Sequence, residues 1–272
     1  MINFSMLRSL FSRREPARGL TPNLFILGAG KSGTTTLSVA LMRHPDIHLN
    51  AVKEPSFFCS YFQVVKNPID YFNLFDSPAR YRVDASHVYL SNPETPPVIR
   101  ALFPKARFIV ILRDPKNRAY SLFRHMRRFT CEDGLPYEDI PDFVTALEKE
   151  DERFLSESFL ENCRQYFWNY MYCRSSKYDE QIERYLSLFN RSQFHFLSLA
   201  ELSRDPLSAI KDIAKFLDIR YAPFRSIKSW KFNADEAADP RPAAAEKILN
   251  AALDGVTQRT DRLVGRKLDW SL

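Results

Sequence analysis

The sequence predicts an α/β fold, three layers deep, in which a central and mainly parallel β-sheet is flanked by helices. Three observations predict it. Two apolar runs, 24–27 and 106–112, each read as a buried strand and each lead through a short polar loop into a helical pattern. Strand-length and helix-length patterns then alternate along the chain, closing with 194–198 and 206–217, as βαβ units require. No internal repeat and no linker rich in Pro, Gly or Ser divides the 272 residues. A tail at 1–21 is expected ahead of a single domain at 22–272.

The first strand, Leu24 to Leu27, feeds a helix over 34–43 with Leu37, Ala40 and Leu41 inward, which His44-Pro45 ends. A second strand at 47–49 leads into Lys53-Glu54-Pro55-Ser56-Phe57-Phe58, a charged pair followed by aromatics. Residues 59–80 read as irregular with short helices around 71–75, and 82–90 as a loop or short strand. A brief helix at 96–103 precedes the strongest strand signal, 106–112. The helix at 116–128 turns Ala119, Leu122, Phe123 and Met126 inward. Residues 131–157 are acidic and turn-prone, with a short helix near 143–149, and suit a lid on the acceptor side. Helical patterns resume at 163–174 and 178–189, a polar loop is expected at 228–242, and terminal helices fill 243–264 with a break near Gly255.

Apolar content of 45% and charged content of 26% are those of an ordinary globular protein. Lys plus Arg number 39 against 33 Asp plus Glu, a formal charge of +6 that favours anionic ligands without making a nucleic-acid binder. The four cysteines, Cys59, Cys131, Cys163 and Cys173, show no metal-type pairing and suit a reducing compartment. No run approaches the length of a transmembrane span. The start, MINFSMLRSLFSRR, is apolar and basic but lacks the order of a signal peptide. The tail reads first as disordered or docked on the domain; a cytoplasmic place is expected, with peripheral membrane contact through the tail as the alternative.

The chemistry concentrates at the ends of the two strong strands. In LFILGAGKSGTT, Gly28, Gly30 and Gly33 permit sharp turns and close approach, Lys31 brings positive charge, and Ser32, Thr34, Thr35 and Thr36 bring hydroxyl donors at a helix start. The group bound there is expected to be a phosphate. The stretch is P-loop-like but not a Walker A loop, whose two glycines would fall at Phe25 and Gly30. Arg113 leaves the second strand with a fork suited to phosphate oxygens, and Ser121 follows within the next helix, so a ligand with separated anionic groups is expected. Glu54 is a candidate proton acceptor at a strand end.

Three of these motifs together resemble sulfotransferases that use 3′-phosphoadenosine 5′-phosphosulfate (PAPS). LGAGKSGTTTL is similar to their 5′-phosphosulfate loop, and FIVILRDPKNRAYS to their 3′-phosphate strand, loop and helix. KEPSFF is similar to an element of the carbohydrate branch, which holds the heparan sulfate N- and O-sulfotransferases and bacterial relatives. Weaker likeness runs through YDEQIERYLSLF and DPLSAIKDIAKFLDI to GRKLDW.

The resemblance implies that Lys31 binds the phosphosulfate and stabilises the leaving group, with Gly30, Ser32, Gly33, Thr34, Thr35 and Thr36 around it. It implies that Arg113 and Ser121 hold the 3′-phosphate, with Lys231, Asn233 and Arg241 closing over the nucleotide, and that the product is 3′-phosphoadenosine 5′-phosphate (PAP). Glu54 would be the general base and His125, one helical turn after Ser121, a secondary acid–base group; Arg118 would be structural or near the nucleotide. Lys53, Ser56, Asp84, Ser86 and Tyr89 would line the acceptor pocket. The chain departs from the pattern at Ser56, where a His is common, at Cys59, where Asp is common, and at Asp84 and His87, in an element that is usually basic. An acidic Asp84 there counts against a polyanionic acceptor such as heparan sulfate itself.

The implied reaction is in-line sulfuryl transfer to a hydroxyl or amine of a carbohydrate or glycolipid, without a metal. Two alternatives stand beside it. One is a P-loop kinase or triphosphatase using ATP–Mg²⁺, with Asp114 near the metal. The other is a module that binds nucleotide or polyanion without turnover.

Overall fold

The computed structural model describes residues 21–60, 62–226 and 240–272. The stretch 1–14 and the residues Lys231 and Asn233 lie outside these.

The sheet has five strands: β1 (Leu24–Gly28), β2 (Ile47–Leu49), β3 (Tyr81–Asp84), β4 (Arg107–Leu112) and β5 (Phe194–Ser198). Their spatial order is β2-β3-β1-β4-β5, and every neighbouring pair is parallel. The helices are α1 (Thr34–Leu41), α2 (Pro68–Asn73), α3 (Val88–Ser91), α4 (Thr95–Leu102), α5 (Pro115–Arg128), α6 (Phe143–Glu148), α7 (Glu150–Leu155), α8 (Glu157–Asn162), α9 (Tyr178–Leu186), α10 (Leu199–Arg204), α11 (Pro206–Leu217), α12 (Ala243–Leu253) and α13 (Val256–Val264). Among the described residues no helix is long and apolar enough to cross a membrane.

The strands are continuous apolar runs because helices cover both faces of the sheet. Successive side chains point to opposite faces. Phe25 and Leu27 of β1 and Phe108, Val110 and Leu112 of β4 enter one core, with Ala119, Leu122 and Met126 of α5 and Leu249 of α12. Leu24 and Ile26, with Ile109 and Ile111, enter the other, against Leu37 and Leu41 of α1 and Ile210, Ile213 and Leu217 of α11. From β1 the chain crosses towards β2 at one edge, whereas from β4 it crosses to β5 at the opposite edge. The carboxyl ends of β1 and β4 therefore flank the crevice where the winding reverses, the usual ligand position in open α/β sheets.

The short-strand reading of 82–90 holds, and two other expectations are corrected. The stretch 82–90 holds an internal strand, β3, between β2 and β1, followed by one helical turn. Residues 163–174 form two short 3₁₀ turns, not a helix. The run 166–173 is almost wholly buried, so it has no polar face to give a helix, and its tyrosines bond to distant backbone instead: Tyr166 Oη donates to the Val88 carbonyl at 3.1 Å and Tyr170 Oη to that of Tyr137 at 2.9 Å. The acidic stretch after 148 adds two short helices, α7 and α8, where only turns were expected. It is tied down by Arg153, which donates twice to the fully buried Glu138, at 2.7 and 2.7 Å.

Candidate active site

The loop after β1 is held from three sides. Ala29 N donates to the Ile111 carbonyl at 2.7 Å, joining the loop to β4. Arg118 Nε donates to the Gly30 carbonyl at 3.1 Å, and the same guanidinium donates to Ser175 Oγ and, at 3.2 Å, to Ser176 Oγ. Gly33, the residue before α1, has φ +89°, and a Cβ there would meet Leu199 Cδ1 at 2.9 Å. Only glycine suits that conformation in that space. No side chain caps α1, and its first helical bond runs from Leu37 N to the Gly33 carbonyl at 3.1 Å. The first turn of α1, at Thr34 to Thr36, thus starts beside the loop in the way of helix starts at which anions bind. Ser32 is fully buried beside Tyr178, yet its Oγ completes no hydrogen bond of good geometry. An oriented donor left over in a glycine-lined cradle fits a phosphate-type group. Lys31 sits in the loop with φ +70°.

The loop after β4 carries Arg113 and Asp114. The Asp114 carboxylate accepts from Asn117 N at 2.8 Å and so caps α5. Ser121 is buried on α5. The two loops meet at Tyr178: burial pushes its phenol up to about 12, and its hydroxyl feels Arg118, Asp114 and Arg113 while lying against Ser32. Arg241 reaches α5 at Asn117. It pairs with Glu246 at 2.7 Å and donates to Asn117 Oδ1, one turn before Ser121 on the same face.

The third segment, 53–58, brings Glu54. Both Glu54 and Ser56 have left-handed backbone, φ +60° and +52°. That loop is fixed from below by a buried polar cluster. Asp84 Oδ1 accepts from Ser86 Oγ at 2.6 Å and Ser86 N at 3.1 Å, while Oδ2 accepts from Tyr71 at 2.7 Å and Tyr89 at 2.9 Å. Ser86 Oγ in turn accepts from Ser56 N at 2.9 Å. Burial pushes the Asp84 carboxyl up despite these bonds. Ser56, Asp84, Ser86 and Tyr89 have no exposed surface. Their polar atoms brace the Glu54 loop from behind.

Glu54 itself is mostly buried, its side chain 21% exposed, with Oε1 3.6 Å from Lys53 Nζ and Oε2 2.6 Å from His87 Nδ1. Burial alone would raise its carboxyl; His87 and Lys53 outweigh that and hold it down at about 2. His125 on α5 is pushed down to about 4 by burial and by the positive charges of Lys31, His87 and Lys53, with Glu54 opposing. It is neutral at neutral pH. The structure thus brings Lys31, Lys53, Glu54, His87 and His125 into one electrostatic neighbourhood over the crevice. His87 is the member that the motifs missed. Its signal was a histidine at the end of a strand, which becomes informative only once β3 is known to lie beside β1.

A family model described as "Sulfotransferase domain" matches residues 21–239. The chain is 29% identical over 210 residues to bifunctional heparan sulfate N-deacetylase/N-sulfotransferase 1 of Caenorhabditis elegans, covering 75% of this chain and 23% of that protein. It is 29% identical over 229 residues to the human N-deacetylase/N-sulfotransferase 3, covering 78% and 24%. The chain thus spans about a quarter of the length of these curated relatives. A crystal structure of a sulfotransferase from Alicyclobacillus acidocaldarius superimposes with a TM-score of 0.72 at 27% identity, over 90% of this chain and 96% of that one. The loop geometry, the strand order and these matches agree, and the chain belongs to the sulfotransferase domain family.

Proposed function

We propose that this chain transfers a sulfuryl group from PAPS to a hydroxyl or amine on a carbohydrate or glycolipid. The observation that carries the reading is the Glu54 carboxylate, ionised and bonded to His87, whose ring packs against Gly30 of the loop after β1. Support for a carbohydrate comes from relatives whose names carry heparan sulfate N-sulfotransferase activity.

PAPS would supply the activated sulfuryl group. In this reading Gly30, Lys31, Ser32, Gly33, Thr34, Thr35 and Thr36 hold its 5′ end, and Arg113 and Ser121 hold its 3′-phosphate with Arg241 alongside. Glu54 takes the acceptor proton as the acceptor attacks. Lys31 offsets the charge that grows on the leaving phosphate, an electrostatic role whose loss typically costs about 2.7–4 kcal/mol of barrier. His125, neutral and half-buried, serves as a second hydrogen-bond partner for the acceptor. Lys53, largely exposed, attracts an anionic acceptor.

The test is calorimetric binding of PAP against ATP–Mg²⁺, followed by turnover of PAPS on N-deacetylated heparosan by the wild type and Lys31→Ala. Tight, metal-independent PAP binding with turnover reduced about 10²–10³-fold in Lys31→Ala is expected. Preference for ATP–Mg²⁺, or wild-type turnover by Lys31→Ala, refutes the reading.

A further inference from the structure

His87 stands closer to Glu54 than any other charged or titratable group described around it. Its Nδ1 lies 2.6 Å from Glu54 Oε2, a charge-assisted hydrogen-bond distance, whereas Lys53 is 3.6 Å from Oε1 on a side chain that is 61% exposed. The imidazole is also wedged against the donor loop. A Cβ on Gly30 would come within 2.5 Å of His87 Cδ2 and 3.0 Å of Nε2, and a Cβ on Gly28 within 2.6 Å of the His87 carbonyl. Directly before it, Ser86 is locked by Asp84, and directly after it, buried Val88 begins α3. The ring is thus a rigid spacer between the loop that carries Lys31 and the loop that carries Glu54.

We propose that His87 is the positioning partner of Glu54, so that the acceptor is deprotonated by a glutamate–histidine pair rather than by a lone carboxylate. The proposal rests on the reading of Glu54 as the base. A carboxylate oxygen 2.6 Å away requires a proton on Nδ1, because two lone pairs at that distance repel. Nδ1–H therefore occupies Oε2 and turns Oε1 to the acceptor. In the transfer step Oε1 takes the proton of the acceptor O–H or N–H. The electron pair of that bond forms the new bond to sulfur, and the leaving phosphate keeps the pair of the bond that breaks. The Nδ1–H bond to Oε2 persists throughout, and no proton enters the ring.

The ring's charge then sets the strength of the base. A neutral imidazole holds Glu54 by a hydrogen bond; an imidazolium adds a full positive charge and weakens its pull on a proton. The other groups facing the pair are Lys53 beside Glu54, Lys31 on the donor loop and His125 on α5, with buried Asp84 beneath.

Two measurements test this. In the PAP-bound protein, imidazole NMR follows the five histidines, and the signal missing in His87→Gln assigns His87. The Nδ1–H proton is expected as a downfield, hydrogen-bonded resonance in the wild type and to move upfield in Glu54→Gln, which removes the carboxylate partner 2.6 Å away. In turnover on N-deacetylated heparosan, His87→Gln is expected to lose about 10–100-fold in kcat with a smaller change in KM for PAPS. His87→Asn replaces it if the glutamine variant does not fold, and the Glu54→Gln spectrum stands without either. An Nδ1–H resonance unmoved in Glu54→Gln, or wild-type kcat in the His87 variants, overturns the proposal. Wild-type turnover by Glu54→Gln overturns the base assignment itself, whatever the ring does.

Discussion

Arg118 offers a direct way to separate the fold of the donor loop from its chemistry. The guanidinium is 3% exposed and donates to the Gly30 carbonyl, Ser175 Oγ and Ser176 Oγ, while burial pulls its pKa down. Bonds from a charged donor each contribute about 1.5–3 kcal/mol, and the cost of keeping the charge out of water offsets part of that. Arg118→Met removes both sides of this balance but leaves three buried acceptors without a donor. Removing one member of such a cluster costs about 3–5 kcal/mol of stability. The share at Gly30 falls on the nucleotide: if binding must re-order a loop that has lost one charge-assisted bond, affinity drops about 10–100-fold, because each 1.4 kcal/mol is tenfold. Thermal unfolding and calorimetry with PAP read the two effects separately. A variant that melts earlier but binds PAP as the wild type does would refute the link between Arg118 and the loop, and leave it a structural residue only.

Two further outcomes follow from buried charge. The Glu54 carboxyl falls from 4.5 to about 2 on folding, so it contributes stability that is present above pH 4.5 and lost as pH falls towards 2, at most about 3 kcal/mol. Denaturant unfolding of Glu54→Gln should therefore show lower stability than wild type at neutral pH and a flatter curve between pH 4.5 and 2; parallel curves would mean that the carboxyl is not held down. Arg153→Met should cost about 3–5 kcal/mol, since it strands Glu138, which is fully buried and bonded also to Tyr172 at 2.6 Å. An unchanged melting temperature would contradict that.

Much of the architecture was legible because the strongest signals were physical necessities. A run such as Phe108 to Leu112, apolar on both faces, has no stable place except a sheet covered on both sides, and Gly33 marks a loop that only glycine can turn. Local pattern failed where burial erased it. Tyr166 to Cys173 kept no polar face, so its helical spacing carried no information about its shape. The bracing role of the polar residues behind Glu54 was hidden for a related reason. A buried Asp84 satisfied by two tyrosines and a serine looks, in sequence, the same as an exposed one that meets substrate. His87 needed the strand order, because a neighbour across a parallel sheet leaves no spacing to read along the chain.

Three side chains in and around the site, Lys31, Glu54 and Ser56, occupy backbone conformations that glycine would adopt without penalty. Each L residue there carries a strain of about 1–2 kcal/mol. With the proposed roles of Lys31 and Glu54, stability and chemistry pull in opposite directions there: glycine would relax the chain and remove the side chain assigned to the transfer in one substitution. Repeated selection for thermal resistance alone would drift towards glycine at these two positions, and would produce robust proteins from which the transfer reaction had been lost.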